Sequence, residues 1–130
     1  MTEPVRQTAE RALRRFAPPL YRWLQRRSGQ RLAKRFGTAE ERFRHIYDTN
    51  HWAEAESVSG PGSTMEETDP IRRELPALLG ELGATSLLDL PCGDFHWMQH
   101  TNLAGIDYIG GDLVGELIER NQAQHARDGV

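Results

Sequence analysis

Apolar residues recur at helical spacing through the first part of the chain and gather into short unbroken runs near its end, which predicts helices first and buried strands later. Val5, Ala9, Ala12, Leu13 and Phe16 fall at steps of three and four, with Arg6, Arg11, Arg14 and Arg15 largely elsewhere, so residues 4–16 read as a helix. Pro18-Pro19 interrupts it, because neither proline donates to the preceding turn. Leu20, Trp23 and Leu24 begin a second amphipathic stretch that is expected to end near Ser28-Gly29, followed by a short third helix over residues 30–36. A fourth helix follows Gly37, with Thr38 as N-cap, Glu41 completing a capping box, and Phe43, Ile46 and Tyr47 as its apolar face.

Residues 48–63 lose helical periodicity and end in Ser57-Val58-Ser59-Gly60-Pro61-Gly62-Ser63, an ordered-loop composition. Thr64 and Glu67 form a second capping box, and Asp69-Pro70 another N-cap with proline in the first turn. Ile71, Leu75, Leu78, Leu79 and Leu82 then mark a helix stripe that Gly83 terminates, with a kink or restart expected at Pro76. Two strands are predicted, Ser86 to Leu90 and Tyr108 to Gly111, separated by a short helix from Phe95 to about Thr101. Leu113, Leu117, Ile118 and Asn121 suggest a last helix reaching about Arg127. Strand, helix, strand, helix is the order of a right-handed parallel crossover. The expected class is α/β: an incomplete Rossmann-like parallel sheet, first two strands only, with a helical N-terminal extension. Three segments follow: a basic extension over residues 1–45, a loop and helix over 46–84, and the first half of a cofactor-binding domain over 85–130.

Charge sharpens that division. Residues 1–45 carry twelve Arg and Lys against four acids, a net of +8, whereas residues 46–130 carry four against fifteen, a net of −11. Such an arm is expected either to pack as a helical cap or to meet an anionic membrane surface or a nucleic acid. The single cysteine, Cys92, excludes an internal disulfide and makes the cytoplasm the default compartment. No window approaches the ~18 apolar residues of a membrane span, and the arm's apolar residues are too dispersed for a secretory signal.

The candidate chemistry lies in Leu87-Leu88-Asp89-Leu90-Pro91-Cys92-Gly93-Asp94-Phe95 and in Tyr108-Ile109-Gly110-Gly111-Asp112. Two apolar runs each end in an acid, and Asp112 follows Gly93 by 19 residues, the order in which a nucleotide-type cofactor is held across parallel strand ends. The turn has one glycine rather than the three of a dinucleotide fingerprint, and Asp94 adds negative charge where phosphates would lie. A cationic ligand without phosphate suits it better; S-adenosylmethionine is one. Cys92 lacks a recognisable His–acid pair to activate it and reads as a small turn residue. His96 and His100, four apart, read as an exposed pair rather than metal ligands, and Trp97, like Trp52, as packing. The Ser-Gly-Pro-Gly-Ser loop lacks the Lys-Ser/Thr of a phosphate cradle and reads as a lid or structural turn.

From Ile46 to Gln124, the series Ile-Tyr-Asp-Thr-Asn-His-Trp, Ser-Val-Ser-Gly-Pro-Gly-Ser, Ile-Arg-Arg-Glu-Leu-Pro-Ala-Leu-Leu, Leu-Leu-Asp-Leu-Pro-Cys-Gly-Asp-Phe-His-Trp-Met and Tyr-Ile-Gly-Gly-Asp-Leu-Val resembles the N-terminal half of a class I S-adenosylmethionine-dependent methyltransferase. The resemblance implies that Asp89, Pro91, Cys92, Gly93, Asp94 and Phe95 form the first cofactor motif, at the amino-acid end of the cofactor. Asp112, followed by Leu113, would take the ribose hydroxyls, and the loop Ser59 to Ser63, with Trp52 before it, would lie over the cofactor. The motifs that hold adenine and flank the transferred methyl in such enzymes come after the matched stretch, so the methyl acceptor and catalytic base are not legible. The 130 residues alone are expected to bind cofactor weakly or not at all.

Overall fold

A computed structural model describes residues 3–126, apart from the side chains of residues 3–7, 10, 11, 25 and 28. The expected faces of Val5, Arg6 and Arg11, and the helix end at Arg127, lie outside the described residues. The chain divides into two compact units, Met1–Thr49 and Asn50–Val130.

The first unit is three helices: α1 (Glu3–Phe16), α2 (Pro18–Arg35) and α3 (Ala39–Asp48). The proline pair separates α1 from α2 and supplies the first two residues of the latter, where a missing N–H costs nothing. The expected break at Ser28-Gly29 does not occur, so the two short helices expected over residues 20–36 are one. A glycine inside a helix costs only about 1 kcal/mol relative to alanine, and strong helix formers, Arg26 and Arg27 before the pair and Gln30, Arg31 and Leu32 after it, surround it. The capping box at α3 forms as expected: the Glu41 amide donates to Thr38 Oγ1 at 3.1 Å, and Glu41 Oε2 accepts from the Thr38 amide at 3.1 Å. Ile46 of its apolar face is buried and Tyr47 half-buried, but Phe43 is exposed; Leu32 of α2 is buried as well.

In the second unit Thr64 accepts from the Glu67 amide at 3.3 Å, but this box closes a turn and not a helix. Helix α4 (Asp69–Glu81) begins one residue earlier than expected, with Thr68 at the N-cap and the Asp69 carboxylate paired to Arg73 instead of capping. It runs unbroken through Pro76, and no restart appears. Leu75 packs into the core on one side of the proline and Leu79 is buried on the other, burial that offsets the one lost backbone bond. Gly83 ends the helix at φ +61, its amide donating to Gly80 O at 3.1 Å while the Ala84 amide reaches Leu79 O at 3.0 Å, the paired bonds of a Schellman ending.

Strands β1 (Ser86–Asp89) and β2 (Asp107–Gly110) pair in parallel, with Leu87 opposite Tyr108, Leu88 opposite Ile109 and Asp89 opposite Gly110. Alternation places Leu87 and Tyr108 on the face that meets Phe95, Met98, Leu75, Trp97 and Leu103. On the opposite face Leu88 and Ile109 are exposed. Between the strands the expected helix over residues 95–101 reduces to a single 3-10 turn, Met98–His100. Phe95 sits at φ +58, a left-handed conformation from which a right-handed helix cannot start, and its ring is buried against Tyr108 at 5.1 Å. Helix α5 (Gly115–His125) follows β2. Its core contact is made by Val114 and Leu117; Leu113, expected on that stripe, precedes the helix and is exposed. The protein is thus a mixed α/β chain with a two-stranded parallel sheet and several helices. Among the described residues no helix is long and apolar enough to cross a membrane.

Candidate functional site

Pairing continues past the strands and builds the site from backbone. Gly111 donates to Asp89 O at 3.0 Å and the Cys92 amide to Gly111 O at 2.8 Å, so the turn after β1 is sewn to the segment after β2. The closeness leaves little room for side chains at Gly110 and Gly111. A Cβ on Gly111 would lie 2.4 Å from Leu90 Cδ2, and one on Gly110 would lie 3.0 Å from the Tyr108 ring and 3.2 Å from Cys92 Sγ.

Asp89 and Asp112 then stand at the carboxyl ends of neighbouring strands. Asp89 Oδ2 accepts from the Tyr108 hydroxyl at 2.8 Å. Asp112 bridges the two segments, its Oδ2 accepting from the Gly93 amide at 3.2 Å and its Oδ1 from the Val114 amide at 3.1 Å. Both carboxylates act on one thiol: Cys92 is pushed up from 9.0 to about 11, first by burial and then by the charges of Asp112 and Asp89. The pair that the sequence singled out therefore converges on the same turn. Burial, followed by the hydrogen bond to Asp89, also raises Tyr108 and keeps it a phenol that donates to the carboxylate. Asn121 Nδ2 donates to Gly93 O at 2.8 Å, tying α5 to the turn.

Asp94 faces another way. Its carboxylate accepts from Ser57 Oγ at 2.8 and 3.0 Å, from the Val58 amide at 3.0 Å, from Ser59 Oγ at 3.1 Å and from the His96 amide at 3.3 Å. Its own amide donates to Ser59 Oγ at 3.0 Å. Asp94 thus fastens the Ser57-Val58-Ser59 segment against the turn and spends its charge on that loop. Phe95 belongs to the core, Pro91 and Leu113 are exposed, and Trp52 lies under Gly60, where a Cβ would come 2.9 Å from its Cδ1. His96 is half-buried and His100 exposed; His96 Nε2 is 3.6 Å from Glu56 Oε2, beyond hydrogen-bond reach. Among the described residues no three His, Cys, Asp or Glu side chains are grouped to hold a metal ion.

Sequence reading missed Tyr108, Asn121 and the two serines as partners of the acids. The first had a signal: opposite Leu87, Tyr108 shares a sheet face with Asp89. The serine clamp had none, since 35 to 37 residues separate its partners.

No protein-family model matches the sequence, and no curated protein or solved structure is significantly similar to it.

The Cys92 environment carries a measurable consequence. With the native thiol near 11 and an unfolded thiol near 9.0, the folded chain at pH 8 should carry about a hundredfold less thiolate than the unfolded one. Iodoacetamide should therefore label the native protein far more slowly. The folded state holds the proton more tightly, so the contribution of Cys92 to stability is full below pH 9 and lost as pH rises through 11. Native and denatured chains that alkylate at equal rates would refute this arrangement.

Proposed function

We propose that the second unit is the cofactor-holding part of an S-adenosylmethionine-dependent methyltransferase of the class I, Rossmann-like kind. The observation that carries this reading is the convergence of Asp89 and Asp112 from adjacent parallel strand ends onto the Cys92-Gly93 turn. A carboxylate has about four acceptor positions. Among the described residues Asp112 gives two to backbone amides and Asp89 one to Tyr108. The remainder suit a ligand rich in donors and positive charge: ribose hydroxyls at Asp112, an ammonium near Asp89. The group so held supplies a sulfonium methyl open to attack by an acceptor. The chain's own part is to position it; Gly93 lets backbone approach closely, and the loop fastened by Asp94 borders the turn.

Two features disfavour a dinucleotide. The turn after β1, where a pyrophosphate would sit, opens no α-helix and leads only into the 3-10 turn Met98–His100, and the two converging carboxylates repel phosphate.

Titration with S-adenosylmethionine, followed by amide shifts in NMR, should move Gly93, Cys92 and residues 110–114 with weak affinity. Asp112→Ala should cut the affinity at least tenfold, the loss of a charge-assisted pair of hydrogen bonds. Shifts confined to amides elsewhere in the chain, or shifts unchanged in the variant, would sink the reading.

A single unpaired cysteine suits a cytoplasmic setting. A second reading concerns residues 1–45, whose net charge of +8 suits an anionic partner, a membrane surface or a nucleic acid.

A further inference from the structure

Helix α2 uses one face for its own unit and leaves another in solvent. Tyr21 is half-buried and Leu32 buried, eleven residues and so about three turns apart on the inner face. Leu20, Trp23 and Leu24 lie on a different stripe, exposed at 47%, 49% and 43%. Helical spacing puts Arg27, Arg31, Lys34 and Arg35 on that same stripe, one to three turns further along. The exposed face is therefore apolar in its first half and cationic in its second, and α2 has six basic residues with no acid. The Arg27 guanidinium lies 4.3 Å from the Trp23 ring centroid, so the junction between the halves is itself a cation over an indole.

We propose that this face of α2 seats on an anionic phospholipid bilayer, with Leu20, Trp23 and Leu24 entering the headgroup boundary and the four cations meeting lipid phosphates and carboxylates. The inference rests on the reading of residues 1–45 as a contact for an anionic partner, and names which one. Charge alone suits either candidate, but the two leucines decide between them. A bilayer boundary buries them, and an indole favours that depth; a nucleic-acid backbone meets the cations and gives Leu20 and Leu24 nothing to enter. The charge of the remainder strengthens the assignment. Residues 46–130 carry a net −11, so an anionic surface repels them, and attachment of a chain of overall charge −3 has to come from the basic arm.

The test is co-sedimentation of the full chain with vesicles of phosphatidylcholine alone and of phosphatidylcholine with about one third phosphatidylserine. Binding is expected only to the anionic vesicles, with loss at about 0.5 M salt and quenching of tryptophan emission by brominated acyl chains. Each basic side chain at such a surface is worth about a fivefold change in partitioning, so Arg27→Gln with Arg31→Gln should weaken binding about twenty-five-fold. Leu20→Ser with Leu24→Ser should weaken it at least tenfold. Both pairs are exposed, and unchanged circular dichroism verifies that the helix persists. Binding unaffected by the leucine changes would overturn insertion of this face. A salt-sensitive shift of a duplex oligonucleotide without vesicle binding would overturn the bilayer and leave the anionic-partner reading standing, while indifference to both would overturn both.

Discussion

Replacing Asp94 with alanine is expected to lower the unfolding free energy by about 3 kcal/mol and to free the segment 57–59. The carboxylate is the common acceptor for two hydroxyls and two amides, from Ser57, Val58, Ser59 and His96. Ser57 is buried, so its hydroxyl cannot turn to water once the carboxylate is gone, and an unmet buried donor costs about 1–3 kcal/mol. The loss should also be local. Amide exchange at Val58 should quicken by about two orders of magnitude, and proteolysis should appear within residues 55–63, while amides of β1 and β2 slow or quicken only with global stability. Asp94→Asn keeps one acceptor oxygen and should cost about half as much. A variant within about 0.5 kcal/mol of the parent, with Val58 still protected, would mean that the loop is held by something other than this carboxylate.

The chain shows in particular residues which kinds of structure a sequence reveals. Where cause and effect lie within one turn, reading succeeds: Thr38 and Glu41 cap α3, the proline pair interrupts the helical run between α1 and α2, and Gly83 closes α4. The acids at 89 and 112 were legible for a related reason, since each ends an apolar run and the strand geometry carries both to one edge. Reading fails where a local preference is weak beside burial. Ser28-Gly29 and Pro76 disfavour helix by amounts that neighbouring formers, or Leu75 and Leu79 in the core, exceed. It fails also where tertiary packing sets an unusual backbone, as at Phe95, whose buried ring comes with a left-handed φ that no helical periodicity announces. The role of Asp94 was hidden for want of any local rule joining it to serines far back in the chain. Seen alone, its charge looked like part of the ligand surface; with its donors in place it is part of the frame.

That frame makes Gly93 as hard to replace as Asp94, and Gly93→Ala should cost about 3 kcal/mol. Two independent causes act. The residue sits at φ +59, where an alanine costs about 1 kcal/mol more than glycine. The new methyl carbon would also stand 2.4 Å from Ser59 Oγ and 3.2 Å from Ser59 Cβ, so Ser59 has to turn away and give up its bonds with Asp94. The causes separate in a double-mutant cycle. Ser59→Gly alone loses the hydroxyl and should cost about 1 kcal/mol; in its background Gly93→Ala meets no side chain and should cost only the backbone penalty. The pair should therefore be less harmful than the sum of its parts by about 1–2 kcal/mol. Strict additivity, measured by denaturant unfolding of all four proteins, would show that Ser59 does not stand over Gly93. The clamp from Asp94 would then lose its geometric basis, and with it the placement of the 57–59 segment beside the Asp89 and Asp112 pair.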